Sequence, residues 1–335
     1  MKVLVTGAGG FIGNYLVGLL LKKGHTVIGL DNESKYGKGI GSFPQFSSYR
    51  YVKGDAKDVI LLKRLLRDCD HVIAGAAKIG GIGYFHRYAY DLLAENERIM
   101  AATLDAAIYA HQHYSLKKIT VISSSMVYES AKIFPTPEKA VRTSPPPQST
   151  YGFQKLACEY FVKGAWEQYK LPYTIVRPFN CVGVGEIDSL GKKTLKKGEI
   201  TRALSHVVPD LIVKTLEGQN PIHIVGKGNQ IRHYTYGVDL AKGIYMAMMS
   251  KKALNEDFNL STAETTTVLQ LAKTIWKKIN GKTPFRYVCD EPFLYDVQKR
   301  IPDTEKAKRI LGFTAETSLD TMLDIVIAWI RQSVI

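Results

Sequence analysis

The stretch 2-KVLVTGAGGFIGNYL-16 sets the fold. Val3, Leu4 and Val5 make a short apolar run suited to a strand buried on both faces, and behind Thr6 the glycines Gly7, Gly10 and Gly13 recur at every third position. From Phe11 to about Lys23 the apolar residues take helical spacing. Strand, glycine turn and helix in this order form a cradle for a pyrophosphate. Small residues let the backbone approach it, the N–H groups around Phe11 and Ile12 lie at the positive end of the helix, and Gly13 lets helix and strand pack closely. A tight structural turn without a ligand is the competing reading of the glycines alone. Against it stands Asp31, at the end of the next apolar run 26-TVIGLD-31, where a carboxylate followed by Asn32 can accept hydrogen bonds from an adenosine ribose. Asp31 would repel a 2′-phosphate, so NAD is expected rather than NADP, with Lys35 and Lys38 close enough to soften the preference. In 53-KGDAKD-58, Asp55 and Ala56 are expected at the adenine edge, with a solvated loop acid as the alternative for Asp55.

Outward from this unit the first half alternates β-branched runs with amphipathic helical stretches. The strand 71-HVIAGAA-77, helices over about 90–114 and 151–169, the strand 118-KITVISS-124 and the strand 173-YTIVRP-178 follow in turn. That rhythm predicts an α/β protein with a Rossmann-type, doubly wound parallel sheet. After Asn180 the pattern turns to Gly- and Lys-rich loops and shorter helices, including 201–218 and 238–250. The expectation is a dinucleotide domain over 1–180, with about 221–245 returning to it, and a smaller mixed α/β C-terminal substrate lobe over 181–335.

A chain of 335 residues, 45% hydrophobic, can bury a full core. Its apolar runs are broken well short of the roughly 18 residues that cross a bilayer, and MKVLVTG reads as a strand rather than a leader, so a cytoplasmic protein is expected. Cys69, Cys158, Cys181 and Cys289 lie far apart without metal-ligand spacing, which predicts buried thiols and no metal. The net charge of +14 favours anionic partners. Its densest run, 192-KKTLKKGE-199, is a solvated face or a basic rim for a polyphosphate; basic residues interleaved with aromatics in a nucleic-acid module are absent.

The pattern 151-YGFQK-155 places Tyr151 and Lys155 four residues apart, on one helix face. An ammonium beside a phenol favours the ionised base, although such a pair also occurs as ordinary helix surface. The context is the glycine turn and the serine-rich strand end 123-SSSMVYES-130 upstream.

Together with 74-AGAAKIGGIG-83, 177-RPFN-180 and 232-RHYTYGVDLAKGI-244, these residues resemble the extended short-chain dehydrogenase/reductase family in its nucleotide-sugar epimerase/dehydratase branch. The resemblance implies bound NAD, a sugar-nucleotide substrate and a homodimer built on helices 90–114 and 151–169. It implies that Ser124 and Tyr151 hold a sugar hydroxyl while Lys155 binds the nicotinamide ribose, with Ala76 and Lys78 also at the cofactor. It assigns Asn180 and Arg232, and Arg300 in 298-QKRIPDTEKAK-308, to the substrate's phosphates.

In this branch 4,6-dehydratases resemble one another in an Asp-Glu pair just after the catalytic Ser or Thr, where this chain has Ser125 and Met126; 3,5-epimerases use a Cys at the position of Met126. A thioether neither donates nor accepts a proton. His206 in 205-SHVVP-209 is similar to the histidine that serves as second acid in the GDP-fucose synthases, whose Cys partner is missing here, or is a helix-face histidine in a packed lobe. The expected activity is therefore epimerisation of a UDP- or GDP-hexose at C4 through a transient 4-keto sugar, with Met126 as an apolar wall or a core residue. The alternatives are a 4-keto-sugar reductase, a 3/5-epimerase using His206, and a non-catalytic dinucleotide-sensing or RNA-binding module on the same fold.

Overall fold

The computed structural model describes residues 1–335 apart from 38–42, 44, 81–86, 187–205, 293–295 and 335. In chain order the longer elements are β1 (Lys2–Thr6), α1 (Phe11–Lys22), β2 (Thr26–Asp31), β3 (Tyr49–Lys53), α2 (Val59–Leu66), β4 (His71–Ala74), α3 (Ala89–His113), β5 (Lys118–Ile122), α4 (Thr150–Tyr169) and β6 (Tyr173–Pro178). There follow α5 (Val207–Leu216), β7 (Ile222–Val225), α6 (Gly237–Met249), β8 (Glu256–Leu260), α7 (Val268–Asn280), β9 (Tyr287–Asp290), α8 (Glu305–Leu311) and α9 (Leu319–Val334).

Seven strands form one parallel sheet in the order β8-β6-β5-β4-β1-β2-β3. The chain winds from β1 outward through β2 and β3, then crosses to β4 on the other side of β1, so the C-terminal ends of β1 and β4 part and leave a crevice between their loops. The period-two alternation of each strand sends successive residues to opposite layers. Leu4, Leu30, Val72, Ile119, Val121 and Ile175 pack with α2, α3 and α4, whereas Val3, Val5, Ile73, Val176 and Phe258 pack with α1, α6 and α8. A separate core of Leu211, Ile212, Ile224, Leu271, Ile275, Met322 and Leu323 joins α5, β7, α7 and α9.

The segment after Asn180 divides. β8 adds the seventh strand beside β6, α6 packs on α1, and β7 pairs with β9 in a small parallel sheet of its own. Tyr15 of α1 ties these parts together: its hydroxyl accepts from Val184 N at 2.7 Å, and a Cβ on Gly183 or Gly237 would lie within 2.6 Å of its side chain. Part of the helix expected over 201–218, residues 201–205, lies outside the described residues; the helix that is described starts at Val207 with His206 as its N-cap. The edge strand β3 shows no alternation because the 49–53 strand is largely exposed, whereas α2 buries Leu62, Leu65 and Leu66 at helical spacing behind an Asp58 cap. Among the described residues no helix is long and apolar enough to cross a membrane.

Candidate active site

At the β1–α1 turn Gly7 has φ of +73°, and a Cβ there would come within 2.9 Å of the Ala76 backbone. A Cβ on Gly13 would stand 2.0 Å from Gly7 O. Both glycines are therefore required by close approach, and Gly7 by its left-handed backbone as well. Gly10 is the N-cap of α1 without a side-chain cap, and the first intrahelical bond runs from Asn14 N to Gly10 O. The N–H groups of Phe11, Ile12 and Gly13 thus remain for an anion at the positive helix end. Asp31 accepts from Gly9 N at 3.0 Å and from Glu33 N at 2.8 Å, one bond on each carboxylate oxygen, which leaves each oxygen a lone pair for a ribose hydroxyl. This donor and acceptor set fits a dinucleotide.

The surrounding loops are fixed by residues that the sequence patterns do not single out. Thr6 Oγ1 accepts from Gly75 N and Ala76 N, each at 3.2 Å, and the buried Asn96 brackets Lys78 by accepting from its N–H at 2.6 Å and donating to its carbonyl at 2.9 Å. Asn32 accepts from Ser34 N, Asp55 accepts from Lys57 N, and Ala56 is buried in the core that includes Leu62, Leu65 and Leu66 of α2. Lys35 lies over the Tyr36 ring and feels the charge of Glu186 in the later segment; its ammonium is pushed down by burial. Lys38 and the basic run 192–199 lie outside the described residues.

Ser124 is buried at the end of β5, where its Oγ accepts from Met126 N at 3.2 Å and so caps the single helical turn 125–128. Tyr151 and Lys155, also buried, occupy the first two turns of α4. Lys155 Nζ donates to Ile122 O at 3.1 Å, which ties it to the strand that leads to Ser124. Met126 packs in one apolar cluster with Leu92 and Tyr151, bordered by Ile79 and Val297, and Ser125 is buried beside it. α4 can approach this turn because Gly152 has no Cβ: one placed there would lie 2.9 Å from Met126 O and 2.6 Å from Pro147 in the proline loop.

A charged network lies beneath. Ser123 Oγ donates to Glu159 at 2.7 Å; the fully buried Arg177 grips both oxygens of Glu159 at 2.7 Å, donates to Asp257 at 2.7 Å and to Tyr128 at 2.6 Å. Arg177 and Lys306 draw the Asp257 carboxyl down to about 2 against the opposing effect of burial. Glu159 follows Lys155 by four residues, so the helical spacing alone places it on the same face. Glu97 of α3 presents a carboxylate near Lys155 with neither oxygen bonded among the described residues, and burial pushes its carboxyl up.

Arg232 and Arg300, both expected at the substrate's phosphates, come together. Burial, and for Arg300 the neighbouring Arg232, push both guanidinium groups down, Arg300 to about 9. Two buried like charges are costly unless an anion joins them, and a diphosphate is such an anion. Arg232 has Asp296 at 3.6 Å as a weak partner. Asn180 uses its side chain inside the protein, accepting from Arg300 Nη1 at 3.0 Å and donating to His233 O at 3.0 Å. His206 is not packed into the lobe: nearly half of its side chain (45%) is exposed, and Nδ1 bonds to the buried Glu186.

The family model for the NAD dependent epimerase/dehydratase family matches residues 3–261. A putative UDP-glucose 4-epimerase of Methanocaldococcus jannaschii is 29% identical over 334 residues, covering 99% of each chain. The UDP-glucose 4-epimerase of Thermotoga maritima, solved with UDP-glucose, superposes with a TM-score of 0.83 at 29% identity over 100% of both chains. A UDP-glucuronic acid 4-epimerase of Bacillus cereus, solved with UDP-glucuronic acid and NAD, gives 0.83 at 27% identity over 99% of both chains. With the glycine cradle, the Ser124, Tyr151 and Lys155 set and this match over most of its length, the chain belongs to the NAD-dependent epimerase/dehydratase family.

Proposed function

We propose that this protein epimerises a nucleoside-diphosphate hexose, a UDP- or GDP-sugar, at C4. When bound, NAD supplies a reversible oxidant at that carbon. Tyr151 takes the C4 hydroxyl proton and returns it, Ser124 holds the hydroxyl, and Lys155 binds the nicotinamide ribose. Arg232 and Arg300 hold the diphosphate, so the sugar is the part free to turn at the 4-keto stage. The observation that carries this reading is Met126, buried against Tyr151 with Leu92, Ile79 and Val297 around it. An apolar wall suits a sugar that rotates and supplies no acid or base for loss of water, the other chemistry in the family's name. The bond between His206 and Glu186 favours a second reading, a 3/5-epimerase or 4-keto-sugar reductase, because a carboxylate orients an imidazole for proton transfer. Exposed aromatics on α3 and α4, Tyr90 (75%), Tyr160 (69%) and Phe153 (47%), support a homodimer through these helices.

The test is to identify the dinucleotide released from the purified protein and then incubate the protein with UDP-, GDP-, dTDP- and CDP-hexoses. Interconversion of C4 epimers without added cofactor is the expected result. Conversion of a 4-keto sugar alone, or solvent deuterium entering carbon, would replace it with the second reading.

A further inference from the structure

Glu129 lies just past the Ser125–Tyr128 turn and is not used by the reading above. Its Oε2 accepts from Ser149 N at 2.9 Å and from Ser149 Oγ at 3.0 Å. Ser149 is the N-cap of α4, and its Oγ in turn accepts from Gly152 N at 3.0 Å. The carboxylate is thus wired through a serine to the first turn of the helix that carries Tyr151. No acidic residue stands in that turn itself, so Glu129 supplies from another element the negative charge that a helix N-terminus favours. Gly152 makes the contact possible, since a Cβ there would lie 3.0 Å from Glu129 Oε2.

The other oxygen, Oε1, is out of solvent and has no partner among the described residues; the same is true of Arg300 Nε. Arg300 feels Glu129 and Tyr151 as favourable neighbours and Arg232 as an unfavourable one. Two opposite charges, each with an idle polar atom, therefore share this end of the site without bonding to each other. An anion that binds Arg300 must compete with the field of Glu129.

We propose that Glu129 is a positioning residue: one carboxylate oxygen fastens the start of α4, and with it Tyr151, to the turn bearing Ser124, while the other offsets the charge of Arg300 and so limits how tightly the diphosphate is held. The proposal rests on the proposed function in taking Arg300 as a diphosphate contact. A residue that only supported the fold would weaken binding and turnover together when changed. Glu129 has opposite effects on the two.

The experiment compares wild type with Glu129→Gln, Glu129→Ala and Ser149→Ala, measuring affinity for UDP by calorimetry and kcat for the sugar nucleotide that the wild type converts. In Glu129→Gln, UDP should bind roughly threefold to tenfold more tightly, with the gain fading at high salt, while kcat falls about tenfold. Ser149→Ala should lower kcat without tightening UDP, because it cuts the link to α4 and leaves the charge. Glu129→Ala should combine a larger fall in kcat with the tighter binding. A Glu129→Gln protein that matches wild type, or binds UDP more weakly, overturns the proposal while turnover by the wild type leaves the proposed function standing. Wild type that binds UDP but converts no sugar nucleotide overturns the proposed function, and UDP affinity in Glu129→Gln then decides the proposal alone. Wild type that binds neither UDP nor GDP overturns both.

Discussion

Tyr151, Lys155 and Ser124 are all buried, yet each reaches its place through a backbone contact: a cap on the turn 125–128, a bond to Ile122 O, a glycine at 152. Removing only the phenolic oxygen should therefore leave the packing of Tyr151 against Met126 intact. Tyr151→Phe is expected to lower kcat by about three orders of magnitude while the purified protein retains its dinucleotide, as read by absorbance after release. A variant that loses dinucleotide in proportion to activity would make Tyr151 a binding group instead. Glu97 is the opposite case, a carboxylate with no donor among the described residues and with its carboxyl pushed up by burial. Above the ordinary glutamate range the unfolded state keeps the ionised form more easily than the folded one, so this group destabilises the fold at neutral pH and stops doing so as pH falls. Glu97→Met should raise stability by about 1 to 2 kcal/mol near neutral pH, measured by urea unfolding, with the gain shrinking toward pH 4.

Elements here are joined by buried charge as well as by apolar layers. Lys118 begins β5 with its ammonium under the C-terminal end of α6, donating to Ala247 O at 2.8 Å and to Met248 O at 3.1 Å, and burial pushes it down to about 8. An unfolded lysine titrates near 10.4, so below about pH 8 both states hold the proton and the folded state carries the whole cost of burying it. Between those two values the unfolded chain binds more protons, and stability should rise with pH, by about 3 kcal/mol at most. Lys118→Met abolishes that dependence. Urea midpoints of wild type and variant, measured between about pH 7.5 and 10, should converge or cross as wild type gains; an offset constant across the range would remove Lys118 as the cause. The Arg177 and Glu159 pair is the same device inside the site, spanning β6, α4, the end of β5 and, through Asp257, β8. Its members appear in the sequence as one arginine in RPFN and one glutamate a helical turn after Lys155, and neither position reveals that they meet.

At the scale of the molecule, α3 and α4 leave aromatic rings toward solvent, and a second copy would cover them. Tyr160→Glu combined with Phe153→Glu should halve the mass seen by light scattering, with secondary structure unchanged in far-UV circular dichroism. Wild type already at the mass of one chain would refute the dimer. The parallel sheet, the glycine cradle and the Tyr151 and Lys155 pair were legible in the chain because each is local: a strand, a turn and a helix within the reach of a few residues set them by period and sterics. The sequence names Asn180, Arg232 and Arg300 one by one, but the bond from Arg300 to Asn180 depends on the segment around Arg300 lying against Ile231. Glu129, Glu159, Asn96 and Thr6 were passed over for the same reason, since a carboxylate or hydroxyl carries no sign of its partner in its neighbours along the chain. The sequence by itself determined the five inner strands of the sheet, the cofactor turn and the absence of an acid or base at Met126, but not the edge strands β3 and β8. Only the tertiary structure decided which buried charges meet, because burial and pairing come from contacts between distant segments and not from the order of residues within one.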